Sequence, residues 1–255
     1  MSAARNREAA AQPIHFARRR FVGGVAAAIA GVAVAPGLIL FEVRHASAAA
    51  PEVASSAVRW GLLIDTTLCA TDCTACVDAC QKENGLAAPT GPTGAQWIRK
   101  VELTDPYSGR TTSLPMMCQH CAEPPCVDVC PTGASFKRAD GIVLVDRHLC
   151  IGCRYCMMAC PYKARSFVHE PITDQKSDVP RGKGCVEACT LCVQRIDRNE
   201  IPACVEACAA TGRKAILFGD LNDPASEISK RIAAVRTVEV RADLALDTGV
   251  RYQGL

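Results

Sequence analysis

At 255 residues, 49 % of them hydrophobic and 22 % charged, the chain can bury a sizeable core, which excludes intrinsic disorder. A formal charge of only +3, with no block of basic residues interleaved with aromatics, is too small to argue for nucleic acid, and no nucleic-acid partner is expected. The 17 cysteines leave three readings: a disulfide scaffold, zinc modules or iron–sulfur clusters.

Residues 1–48 differ in kind from the rest. Arg18-Arg19-Arg20-Phe21-Val22 precedes a weakly apolar run, Val25 to Phe41, and Ala46-Ser47-Ala48 then gives a small-x-small cleavage pattern. An Arg-Arg-x-Phe-aliphatic core of this kind resembles a twin-arginine export signal, removed after Ala48. The alternative is a retained membrane anchor, for which a run interrupted by Gly31, Pro36 and Gly37 is marginal. Loss of 1–48 removes six arginines and two glutamates and leaves a formal charge of −1, so the basicity belongs to the signal. Twin-arginine export carries folded proteins, which reconciles metal-type cysteines with an oxidising destination.

Val58–Ile64 is predicted as a short strand leading into the first cysteine group, Cys69-x3-Cys73-x2-Cys76-x3-Cys80, with a short helix around Val77–Lys82. Residues 84–113 hold Gly85, Pro89, Gly91, Pro92, Gly94, Pro106 and Gly109 around one strand-like stretch, Trp97–Leu103, and read as a loop and hairpin insertion. The second group is Cys118-x2-Cys121-x4-Cys126-x3-Cys130, then Pro131, with a helix around Val127–Val129. A strand at Gly141–Asp146 leads into the third, Cys150-x2-Cys153-x2-Cys156-x3-Cys160, then Pro161. The fourth is Cys189-x2-Cys192-x11-Cys204-x3-Cys208, with a helix around Val205–Ala209 and a strand at Ala215–Phe218. Asp223-Pro224 looks like an N-cap with proline at the first helical position, and Ile228, Ile232 and Val235 share a face of the helix that follows. The last 20 residues, poor in apolar groups, are expected as a tail over a neighbouring subunit.

Each group holds four cysteines, so 16 of the 17 are used and Cys185 is left over. Two residues between cysteines let a tight turn aim both sulfurs at neighbouring irons of one cubane. The fourth cysteine lies one helical turn past the third and points off the loop, toward a different cluster. Zinc ribbons need only paired CxxC knuckles, and disulfides within Cys150-x2-Cys153-x2-Cys156 would be crowded. His120, His148 and His169 lie near cysteine groups but are superfluous as ligands, whereas Lys163 and Arg165 either donate to cluster sulfur or face solvent.

At Cys118–Pro131, Gly141-Ile142-Val143, Gly152–Tyr162, Pro202–Cys208 and Phe218–Leu221 the chain resembles the four-cluster ferredoxin-like electron-transfer subunits of complex iron–sulfur oxidoreductases, the DMSO-reductase-type B subunits. The resemblance covers about residues 58–235 and implies an α+β fold of two nested bacterial dicluster-ferredoxin-like modules with short strands and helices. The outer module would comprise 58–83 and 180–222, the inner one 114–170, with 84–113 inserted and 223–255 a C-terminal helix and tail. Up to four [4Fe–4S] clusters are implied, held by Cys69/Cys73/Cys76/Cys208, Cys189/Cys192/Cys204/Cys80, Cys118/Cys121/Cys126/Cys160 and Cys150/Cys153/Cys156/Cys130. The chain departs from the pattern in the three residues between Cys69 and Cys73, in lacking proline after Cys80 and Cys208, and in Cys185. The first departure leaves either a wider ligand loop or only three clusters.

No nucleophile motif, phosphate loop or open metal site is present, so the expectation is an electron wire and not an enzyme. Within the family, 156–167 and 219–224 most resemble a periplasmic subunit of a dissimilatory sulfur-metabolism complex. The implied partners are an integral membrane quinone-interacting subunit (NrfD/DsrP-like) and a periplasmic multihaem cytochrome c. The alternatives are a B subunit of a molybdopterin oxidoreductase or hydrogenase complex, and a metal-stapled structural scaffold.

Overall fold

The computed structural model describes residues 54–87, 91, 93–173 and 175–255; the export signal expected at 1–48 lies outside them. In chain order the elements are β1 (Trp60–Asp65), α1 (Ala75–Asn84), β2 (Ile98–Thr104), β3 (Thr111–Met117), α2 (Pro125–Asp128), β4 (Ser135–Lys137), β5 (Val143–Val145) and α3 (Tyr155–Ala159). They continue as β6 (Arg165–Phe167), β7 (Val186–Ala188), α4 (Val193–Ile196), α5 (Ala203–Ala210), β8 (Ile216–Asp220), α6 (Glu227–Ala234), β9 (Thr237–Val238) and β10 (Val250–Gln253). Helices and strands thus alternate in short pieces, consistent with an α+β ferredoxin-like domain. No helix among the described residues is long and apolar enough to cross a membrane.

Leu62, Leu63 and Ile64 are all buried, so β1 is covered on both faces and reads as an unbroken apolar run instead of an alternating one. It pairs antiparallel with β8 and parallel with β10, and β9 completes a sheet ordered β8-β1-β10-β9. The C-terminus, expected as a tail over a neighbouring subunit, therefore ends within this chain's own sheet. Residues 250–253 are an inner strand of this sheet, with Val250 and Tyr252 buried, and the Tyr252 hydroxyl donates to the Pro115 carbonyl. Only two apolar residues of that strand point inward, so a composition count over 20 residues hides it.

The strands and helices expected beside the cysteine groups form, shifted by one or two residues at their ends. The 84–113 insertion becomes the β2–β3 hairpin, registered from Ile98 opposite Met117 to Thr104 opposite Thr111, and so reaches further than expected. Asp223 does not cap the following helix. Its carboxylate accepts from the Ala225 N–H in a turn, and Ser226 takes the cap by accepting from Ser229. Of the expected packing face, Ile228 is fully buried, while Ile232 and Val235 are half-buried. Eleven cysteines stand among the buried hydrophobic residues, from Cys76 to Cys208, so thiols make up a substantial minority of the core.

Candidate metal centres

Three of the cysteine loops share one device. The second spacer residue of Cys118-x2-Cys121, Cys150-x2-Cys153 and Cys189-x2-Cys192 is left-handed: His120 at φ 45°, Gly152 at φ 70° and Leu191 at φ 55°. Such a residue reverses the chain within one step and turns backbone N–H groups inward as a concave anion site. The Leu191 N–H accordingly donates to Cys189 Sγ at 3.4 Å. A Cβ on Gly152 would also lie 2.2 Å from the Gly184 carbonyl oxygen. Gly152→Ala is therefore expected to destabilise the fold by about 2–4 kcal/mol and to lower iron loading, read by thermal melting and metal analysis.

The loop between Cys69 and Cys73 has no left-handed residue and one residue more. It is held from outside. Lys100, on β2, donates its ammonium to the carbonyls of Ala70 at 2.6 Å, Thr71 at 2.8 Å and Cys73 at 2.7 Å. Its charge also pulls down the Cys76 thiol, which burial, Cys69 and Cys208 push up to about 11.

Helices α1 and α5 pack together, and each carries two cysteines four residues apart, on one face and one turn apart: Cys76 and Cys80, Cys204 and Cys208. Cys69, Cys73, Cys76 and Cys208 line one small, largely apolar cavity. Cys80 lies among Cys189 and Cys192, and Cys204 beside Cys192 and Cys80. The two cysteines of each helix thus have different nearest neighbours, with Cys76 within reach of both Cys80 and Cys204. Asn84, one turn beyond Cys80, donates to the Cys80 carbonyl at 2.9 Å and to its sulfur at 3.6 Å.

The short helices α2 and α3 repeat this arrangement. Cys118, Cys121, Cys126 and Cys160 line a second small, largely apolar cavity, and burial pushes Cys118 and Cys121 up to about 12. Cys156 lies instead near Cys150 and Cys130. Cys130 accepts from the Ser135 N–H at 3.3 Å, a contact that favours its thiolate, and Cys150 accepts from the Val186 N–H at 3.5 Å. Cys153 is the exposed member of this group. At Cys160 the backbone is extended, φ −72° and ψ 112°, because Pro161 disfavours helix before it. Cys185 is no substitute for Cys208. It donates to the Arg147 carbonyl at 3.3 Å and stands beside Cys150.

Arg165 is buried and donates from Nη2 to Cys126 Sγ at 3.0 Å, whereas Lys163 is exposed. Buried His120 accepts through Nδ1 from the Val143 N–H at 3.1 Å, and burial pulls its imidazole down to about 4. That fixes it as a neutral wall of the loop. His148 is exposed, and His169 sits edge-on to Phe167 with ring centres 4.9 Å apart. The residues missed in the sequence are Lys100 and Asn84. Asn84 follows Cys80 at i+4 and could have been found, but nothing local marks Lys100.

No disulfide forms among the described residues, which hold all 17 cysteines. Among the same residues no three Cys, His, Asp or Glu side chains gather tightly enough for a single metal ion. A lone tetrahedral zinc would draw four sulfurs to within about 3.8 Å of one another, given Zn–S bonds of about 2.3 Å. A cubane puts each sulfur on its own iron and spreads them around a cavity. The apolar, thiol-lined cavities fit that group.

Comparison with known proteins agrees. A 4Fe-4S dicluster domain matches residues 110–220. The chain is 40 % identical to the Hdr-like menaquinol oxidoreductase iron-sulfur subunit 1 of Archaeoglobus fulgidus, over 94 % of this chain and 98 % of that one. It is 38 % identical to protein NrfC of Escherichia coli, over 91 % and 92 % respectively. To the B subunit of sulfite dehydrogenase from Allochromatium vinosum it is 42 % identical, over 66 % and 71 %. The chain belongs to the NrfC- and DMSO-reductase-like family of 4Fe-4S dicluster iron–sulfur subunits, and as such it is an electron-transfer subunit of a larger oxidoreductase complex that holds several [4Fe–4S] clusters and is not itself the catalytic chain.

Proposed function

We propose that this chain is the periplasmic iron–sulfur subunit of a dissimilatory sulfur-metabolism membrane complex, of the DsrO type in DsrMKJOP. It relays single electrons between a quinone-reactive membrane subunit and a multihaem cytochrome c. The 16 cysteines act as iron ligands in the four exchanged sets, the wider Cys69–Cys73 loop included. Clusters with all four positions taken by cysteine offer no site to a substrate and exchange one electron at a time. The observation that carries this reading is the near-full-length likeness to a subunit named for menaquinol oxidation, joined to a chain whose cysteines gather in sets with shared helices. Likeness to the sulfite dehydrogenase B subunit supports a second reading, a B subunit serving a molybdopterin oxidoreductase.

Purification from native membranes with identification of the co-purifying subunits separates the two. The first reading expects a multi-spanning membrane protein and a multihaem cytochrome; a molybdopterin protein in their place contradicts it. Export provides an independent check. Replacing Arg18 and Arg19 by Lys is expected to leave the loaded protein in the cytoplasm, as cell fractionation would read. Normal export of that variant would mean that another route carries it.

A further inference from the structure

Arg165 does more than close one cavity. It opens β6, pairs with Ala188 of β7, and is only 6 % exposed. A buried guanidinium needs partners for its five N–H groups, since desolvation alone costs several kcal/mol, about the worth of two charged hydrogen bonds. No described carboxylate pairs with it. Nη2 donates to Cys126 Sγ at 3.0 Å, and Nε and Nη1 have no hydrogen-bond partner among the described residues. The guanidinium also lies against Cys156, which belongs with Cys150 and Cys130. It therefore stands between the two inner cysteine sets, lining the cavity of one and touching a member of the other.

We infer that Arg165 is a positioning residue shared by the two inner clusters, balancing the thiolate charge of both sets and so holding both reduction potentials up together. The physical basis is general. Adding an electron to a thiolate-ligated cluster raises its negative charge, and a fixed cation with donors on the ligand sulfurs favours the reduced form. Arginine suits the place better than lysine because its planar fork presents donors to two sides at once. The inference rests on the exchanged cysteine sets proposed above, which place Cys126 and Cys156 in different clusters.

The test is a redox titration of the full, cluster-loaded chain, followed by electron paramagnetic resonance, with iron content measured in parallel. Arg165→Gln is expected to lower two of the four midpoint potentials, each by about tenfold in the reduction equilibrium, or about 59 mV for one electron. The other two potentials stay. Unchanged potentials, a shift in one alone, or an equal shift in all four would overturn the inference. Should Arg165→Gln lose iron, Arg165→Lys carries the test, since it keeps the charge but offers a single compact donor head. It is expected to load fully and to lower one inner potential, because one ammonium cannot reach both sets; wild-type potentials at both would overturn the proposal. If Cys80→Ser and Cys76→Ser disturbed one and the same signal, the ligand sets would fail first and this inference with them.

Discussion

A Lys100→Met chain is expected to hold three clusters in place of four, its iron falling from about 16 to about 12 atoms per chain. The ligand loop from Cys69 to Cys73 is one residue longer than its counterparts and lacks the left-handed residue that closes them. Three carbonyls of that loop converge on one ammonium from the hairpin. Hydrogen bonds to a charged group contribute about 1.5–3 kcal/mol each. One of these three is exposed, so their joint worth after solvent screening is about 3 kcal/mol. Methionine keeps the length and apolar stem and removes all three. Lys100→Arg, which restores charge and donors, should recover most of the iron. Full loading in Lys100→Met would show that the loop holds itself, leaving the hairpin without a role at this site.

The second large effect concerns ligand exchange. Serine at Cys208 is expected to disturb the same spectroscopic signal as serine at Cys76, whereas serine at Cys80 should disturb the signal that responds to Cys189. Cys76 and Cys80 lie one turn apart on α1, yet Cys76 shares a cavity with Cys69, Cys73 and Cys208. Cys80 looks across to Cys189 and Cys192. Losing one ligand of four should shift the affected potential strongly or abolish its signal, with the neighbouring signal kept. Cys185→Ser should change neither, since Cys185 sits by Arg147 and Cys150 and not in the position of Cys208. If Cys80→Ser and Cys76→Ser disturb one and the same signal, the exchanged assignment is wrong.

The cysteine spacing made most of this legible, because a ligand run of four in about 12 residues constrains turn, helix and direction together. What the sequence hid is non-local. The pairing of β10 with β1 joins residues almost 190 positions apart and rests on the inward side chains Val250 and Tyr252. Lys100 reaches its carbonyls from a different element, so no spacing rule announces it. Arg165 was visible beside Cys160, but whether it faced solvent or sulfur depended on the β6–β7 pairing that turns it inward. The helix after residue 223 began later than Asp-Pro suggested because two side chains competed for one cap and the serine took it.

What the thiols hold decides between an electron wire and a scaffold. Chemical analysis of the full chain, purified under exclusion of oxygen, should find about 16 iron atoms and about 16 acid-labile sulfides, with spin-coupled iron–sulfur resonances on reduction. About 12 of each would mean that the widened first loop has lost its cluster, and that Lys100 does not secure one there. Stoichiometric zinc with iron and sulfide near zero would contradict the electron-transfer reading altogether.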